Sequence, residues 1–319
     1  MDACKTYDAI IVGAGPAGST AGIYAARASL HTLIIEQGMP GGQIATSDMV
    51  DNYPGIPSIS GAELGSKMLE HAESAGAEVA YAMVNAITHL DDGRFSLETD
   101  TGSYVAPVVI VATGATPRPL GFAGENEFRG RGVSYCATCD AMFYRGKRVF
   151  VVGGGNSACE EGLFLSHVAS DVVMVVRRDE FRAPKGRVDK LLARDNVSVK
   201  YSTSLVEATG ERLLGSVTFR DNKTGDQYTE TYSEGSFGIF VFAGNDPVTE
   251  LVTQLADIAP DGGVVTDENM ATRTPGLYCA GDIRSKRLRQ VVTAASDGAI
   301  AASAAYAYIQ EASDVLSTN

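Results

Sequence analysis

The 319-residue chain contains no tryptophan, only four histidines and no apolar run of 18 residues or more. The last absence excludes a membrane-spanning helix on hydropathy. His31, His71, His89 and His167 form no pair close to the cysteines and there is a single C-x-x-C, which argues against structural zinc. Cysteines number five, at positions 4, 136, 139, 159 and 279, too few and too scattered for the disulfide framework of a secreted domain. Basic residues are also scarce. The 26 Lys and Arg face 39 Asp and Glu, for a net charge of −13, and such a field repels nucleic acids and anionic membranes. The opening MDACKTYDAIIVGAG enters a structured motif almost at once, leaving no room for a signal peptide. A cytoplasmic protein with no nucleic-acid or membrane partner is therefore expected.

Glycine, at 35 residues, is abundant. Its placement is repetitive: AIIVGAGPAG at 9–18 returns as VFVVGGGNSA at 149–158, so Gly13 maps onto Gly153. Each copy has an apolar β run before its glycines, a small-residue helix behind them, and then a second β run, HTLIIE or DVVMVVRR. Two related nucleotide-binding units are implied, in line with a chain long enough for two domains. VVIVATGATPRP at 108–119 and GIFVFAGNDP at 238–247 read as two crossings between domains, and GLYCAGDI at 276–283 is one more strand and turn beyond the second unit. The first domain is thus discontinuous. The alanine-rich RQVVTAASDGAIAASAAYAYI predicts a packed terminal helix, and ASDVLSTN after it a frayed tail.

Gly13-Ala14-Gly15-Pro16-Ala17-Gly18 fits G-x-G-x-x-G between strand and helix, with Glu36 closing the next strand. Glycines let a pyrophosphate approach the backbone, the helix N-terminus supplies positive dipole, and the acid can bind ribose hydroxyls. The motif alone does not choose between FAD and NAD, although Asp282 in GLYCAGDI could bond a ribityl chain. In the second copy, Gly153-Gly154-Gly155-Asn156-Ser157-Ala158, the position matching Glu36 is Val176. The ribose-binding acid is gone, and Arg177, Arg178 and Arg182 follow. Guanidinium groups bind phosphate in bidentate fashion, so this site should prefer the 2′-phosphate of NADPH. The bland alternative is a solvated basic loop.

Cys136-Ala137-Thr138-Cys139 is spaced to close a small disulfide on one side of a turn or helix start. Asp140, next to Cys139, is either a proton carrier for thiol chemistry or an N-cap for the following turn. Cys4, Cys159 and Cys279 read as small packing residues.

Together GAGPAG, GGQ, DNYPG, ATGA, SYCATCD, GGGNSACEE, RRDEFRA and AGDIRSKRLRQVVTAASDG resemble the low-molecular-weight, bacterial-type thioredoxin reductases of the FAD/NADPH pyridine nucleotide-disulfide oxidoreductases, from about residue 7 to 310. The resemblance implies an α/β fold of two Rossmann-like, three-layer ββα nucleotide-binding domains joined by a two-segment hinge. Residues 1–115 and 247–319 would form the FAD-binding domain, and 116–246 the NADPH-binding domain carrying the redox-active C-x-x-C. It implies FAD contacts at Gly13, Gly15, Gly18, Glu36, Gly42, Gln43, Asn52, Asp282, Arg289 and Gln290, extending to Pro16, Ala17, Gln37, Ala112, Thr113, Gly114, Gly281 and Val291. NADPH would be held by Gly153, Gly155, Asn156, Ser157, Ala158, Arg177, Arg178 and Arg182. In such enzymes NADPH reduces the flavin and the flavin reduces the Cys136–Cys139 disulfide, with Cys139 nearest the isoalloxazine, the second domain rotating between half-reactions. Cys136 would then attack thioredoxin or a thioredoxin-like protein, with Asp140 as acid/base, in a homodimer.

Three positions depart from the pattern. Val176 replaces a histidine common before the two arginines, and Ala141 and Met142 replace glycine and phenylalanine in the loop expected to touch thioredoxin. Alternative functions are a ferredoxin-dependent thioredoxin reductase, a dithiol oxidase, an NADPH:ferredoxin reductase and a non-catalytic redox sensor. The first two tend to lose the second glycine turn or its arginines, and this chain keeps both.

Overall fold

The computed structural model describes residues 5–47 and 49–317; Cys4 lies outside them. The chain forms two compact units, Met1–Thr116 with Asp246–Asn319, and Pro117–Asn245. It crosses out of the first within Ala115–Pro117 and returns within Asn245–Pro247.

The near-continuous apolar runs AIIV, TLIIE and VVIV are what a parallel strand covered on both faces requires. They lie in a five-stranded parallel sheet of spatial order Leu277–Cys279, Val108–Val111, Ala9–Val12, Thr32–Glu36, Glu78–Tyr81. Successive side chains point to opposite faces. Ala9 and Ile11 enter a core with the helices Pro16–Arg27 and Val291–Ser317, whereas Ile10 and Val12 pack against Ile87, Phe95 and Leu97 of a second, four-stranded sheet. Three layers result, and the C-terminal ends of the five parallel strands meet at one edge, where ligands of open α/β sheets bind. The segment expected to fray is instead helical through Ser317, because ASDVLS holds no glycine or proline to end the ladder; Thr318 and Asn319 lie outside the described residues.

The second unit repeats the plan. Its parallel sheet runs Val133–Ser134, Phe237–Val241, Arg148–Val152, Asp171–Val175, Val197–Lys200. Val149 and Val151 pack on the helix Asn156–Leu165, and Phe150 and Val152 on an antiparallel sheet of Thr203–Gly210, Leu214–Asp221 and Gln227–Thr231.

Candidate active site

In the first unit the chain turns at Gly13, whose φ of +103° suits glycine, and a Cβ there would lie 2.6 Å from the Ala112 carbonyl oxygen. A Cβ on Gly18 would lie 1.8 Å from the Gly13 carbonyl oxygen, which forces glycine where helix Pro16–Arg27 leaves the strand. Gly15 is different. A Cβ on it would meet nothing nearer than the Gly41 carbonyl oxygen at 3.9 Å, so its open face is room for a ligand. Glu36 is 8% exposed and accepts from the Ala14 and Gly38 amides at 2.6 and 2.8 Å, which fixes the acid beside the glycine turn.

The structure brings most of the residues expected around a flavin to this edge. Gly42 packs on Gly15, and a Cβ on Gly281 would touch Ala17. Asn52 donates to the Gln290 side-chain oxygen at 3.1 Å, and Arg289 to the Asp282 carbonyl at 3.3 Å. Ala112 and Gly114 follow the strand Val108–Val111, and Thr113 donates to the Val248 carbonyl at 2.7 Å. Val291 begins the terminal helix, and the side chains of Gln37 and Gln43 are exposed. The Asp282 Oδ1 is buried with no hydrogen-bond partner, and burial raises the carboxyl above its usual range. An orphaned oxygen of this kind is satisfied by a ligand hydroxyl, and Gly15 leaves a path for a pyrophosphate. The edge therefore fits a hydroxyl-rich dinucleotide such as a flavin.

The second unit holds the cysteine pair. Cys136 and Cys139 form a disulfide with Cα atoms 5.3 Å apart, at the start of the short helix Ala137–Asp140. The Cys139 amide donates to Cys136 Sγ at 3.2 Å, and the Thr138 hydroxyl lies 3.4 Å from the same sulfur. Ala137 and Ala141 are buried in one core with Val149, Val151 and Ala158, the strand and helix on either side of the second glycine turn. Small side chains thus fasten the disulfide to the nucleotide motif. Of the two substituted loop positions, Ala141 is core, whereas Met142 is 49% exposed beside Phe143 at 48%. Asp140 stands at the N-cap position of the turn Ala141–Tyr144, and its side chain makes no cap hydrogen bond there.

At the second glycine turn, Gly153 has a φ of +150° and a Cβ there would lie 2.7 Å from the Phe242 carbonyl oxygen. Gly155, Asn156 and Ser157 follow, with Ala158 buried beneath. Val176 is 2% exposed and packs toward Gly154, so this position faces the core and not a ligand. Arg177, Arg178 and Arg182 are all exposed, and an Arg182 Nη lies 3.8 Å from where a Gly155 Cβ would be. The loop is pinned by the Arg182 amide donating to the Gly154 carbonyl at 2.7 Å, by Ser202 donating to the Arg178 carbonyl, and by Asn222 donating to the Arg177 carbonyl.

Sequence reasoning missed Asp297, Arg284 and Lys286, which meet beneath the Gly281–Asp282 turn. The one available signal was a lone acid within the alanine-rich stretch 289–309.

A family profile described as pyridine nucleotide-disulphide oxidoreductase matches residues 7–298. A thioredoxin reductase from Treponema pallidum (strain Nichols) is 46% identical over 95% of this chain and 97% of its own. One from Bacillus subtilis (strain 168) is 43% identical over 98% of each. The crystal structure of thioredoxin reductase from Streptococcus pyogenes MGAS5005 superposes with a TM-score of 0.90 at 41% identity, covering 97% of this chain and 100% of that one. With the glycine turns and a disulfide in the same chain, these matches show that it belongs to the pyridine nucleotide-disulphide oxidoreductase family, among the thioredoxin reductases, flavoprotein enzymes that use a flavin and a pyridine nucleotide.

Proposed function

We propose that the flavin is FAD, held by the first unit, that the nucleotide is NADPH, held by Pro117–Asn245, and that the acceptor is thioredoxin or a thioredoxin-like protein. The observation that carries this reading is the Cys136–Cys139 disulfide packed through Ala137 and Ala141 onto the second glycine motif. FAD, when bound, supplies two-electron exchange between a nicotinamide and a disulfide. The protein's residues do the rest. Arg177, Arg178 and Arg182 bind the 2′-phosphate and select NADPH over NADH. Two electrons and two protons convert the disulfide to two thiols. The Cys139 amide, directed at Cys136 Sγ, then favours a Cys136 thiolate as attacking group. Its attack on the acceptor disulfide forms a mixed disulfide and expels one acceptor thiolate, which takes a proton from Asp140 or solvent. Cys139 attacks Cys136 Sγ, the second acceptor thiol leaves, and the internal disulfide is restored.

Exposed Met142 and Phe143 beside the disulfide supply an apolar surface for a protein acceptor. Rotation of the second unit between half-reactions and a homodimer complete the proposal, both on family resemblance; sedimentation at twice the 33.5 kDa chain mass checks the dimer. The functional test is anaerobic mixing with NADPH or NADH while following oxidised-flavin absorbance. Fast bleaching by NADPH and slow bleaching by NADH support the donor assignment. Bleaching only by reduced ferredoxin or a dithiol overturns it, in favour of a ferredoxin-fed reductase or dithiol oxidase.

A further inference from the structure

Asp297 is 7% exposed, on the terminal helix Val291–Ser317. Its Oδ2 accepts hydrogen bonds from the Gly281 amide at 3.0 Å and from Lys286 Nζ at 2.8 Å, and forms an ion pair with Arg284 Nη1 at 3.0 Å. The two cations are themselves nearly enclosed, with side chains 14% and 11% exposed for Arg284 and Lys286. Buried ion clusters of this kind are weak contributors to net stability, since desolvation offsets most of the attraction. Their value is geometric.

The geometry is specific. Gly281 has a φ of +82°, and a Cβ on it would lie 2.8 Å from Ala17 Cβ, so the turn sits directly on the first glycine helix. The next residue is Asp282, with its buried, unpartnered Oδ1. Arg284 also donates to Thr266 Oγ1 at 2.7 Å, which extends the anchor to the segment alongside. The residue before Asp282 and two of the four after it are therefore tied to one carboxylate oxygen, while Asp282 itself is left for a ligand.

We propose that Asp297 is a positioning residue for flavin binding: by gripping Gly281, Arg284 and Lys286 it holds the Asp282 carboxylate where it accepts a hydroxyl of the dinucleotide. The inference rests on the reading of Asp282 as a flavin ligand. It assigns a role in cofactor retention to a residue that touches no cofactor. The isosteric Asp297→Asn keeps an acceptor oxygen and removes the charge that pairs both cations.

The test is a double-mutant cycle on flavin affinity, with flavin-free full-length protein titrated with FAD and binding followed by flavin fluorescence. Asp297→Asn is expected to weaken FAD binding by about tenfold or more in the wild-type background, and by no more than about twofold when Asp282→Asn is already present. Equal losses in both backgrounds would mean that Asp297 acts on the fold at large and would overturn the proposal, as would undiminished affinity in the single variant. If Asp282→Asn alone leaves FAD affinity unchanged, the reading of Asp282 as a ligand fails and the proposal falls with it; a loss there with additive behaviour overturns the proposal alone. Should Asp297→Asn not fold, Lys286→Gln carries the same cycle, since it leaves the Arg284 pair and the Gly281 bond in place. A loss of about threefold, confined to the background that retains Asp282, supports the proposal.

Discussion

Cys159 and Cys279 are 2% and 0% exposed, and burial pushes their thiols up to about 11 and about 12. A raised thiol stays protonated until pH rises through the shifted value, so at pH 8 the reactive thiolate is on the order of 0.1% of Cys159 and less of Cys279. Cys136, once reduced, has an amide directed at its sulfur and a hydroxyl beside it. After mild reduction at pH 8, iodoacetamide should modify Cys136 and Cys139 and leave Cys159 and Cys279 untouched, read peptide by peptide by mass spectrometry. Modification of Cys279 at that pH in the folded protein would refute the assignment of burial. Cys136→Ser or Cys139→Ser should lower thioredoxin turnover by at least about a thousandfold while NADPH still bleaches the flavin, because donor binding and flavin binding use other residues. Loss of bleaching would mean that the cysteines also serve the first half-reaction. Residues of this kind were legible in the sequence, since a disulfide three residues apart and a glycine turn are encoded by local spacing. The grip of Asp297 on Gly281 was not, because three residues of the chain converge on it only through the packing of a helix against a turn.

Helices in the two units make opposite use of glycine. Gly298 lies in the terminal helix, where a Cβ would fall 2.0 Å from the Ala17 carbonyl oxygen and 3.0 Å from the Ala21 amide nitrogen. Alanine gains up to about 1 kcal/mol in helix propensity. Forcing apart two packed backbones costs about 1–3 kcal/mol or more, so the clash wins. Gly298→Ala should therefore lower the thermal midpoint and the flavin content of the purified protein. Gly186, in the helix Lys185–Leu192, has nothing within 4 Å of the point a Cβ would occupy. There the propensity term is unopposed, and Gly186→Ala should raise stability by up to about 1 kcal/mol in chemical denaturation. A stabilising Gly298→Ala would overturn this account of the helix contact. Element types were legible because the apolar runs alternate faces and the glycine turns punctuate them. The end of the terminal helix was not, since ASDVLS carries neither a strong stop signal nor an apolar stripe as clear as the alanines before it.

Each unit owns two hydrophobic clusters on the faces of its parallel sheet, but only the second is a continuous piece of chain. Residues 117–245 expressed alone should unfold cooperatively and bind 2′,5′-ADP more tightly than 5′-AMP, through Arg177, Arg178 and Arg182. Equal affinity for the two nucleotides in calorimetry would remove the arginines from phosphate recognition. The discontinuity was legible from a strand lying beyond the second glycine unit, whereas the second sheet in each unit, which covers the far face of the parallel one, gave no motif to read.

That discontinuity also sets an order of events on the ribosome. Val108–Val111 lies between Ala9–Val12 and Leu277–Cys279 in the finished sheet, yet its second neighbour is synthesised some 165 residues later. The second unit can close while the first still carries an unpaired apolar strand edge, which in a nascent chain is a template for misassembly. Each newly made molecule can therefore pass through an interval in which its second unit is closed while the sheet of its first still waits for a strand.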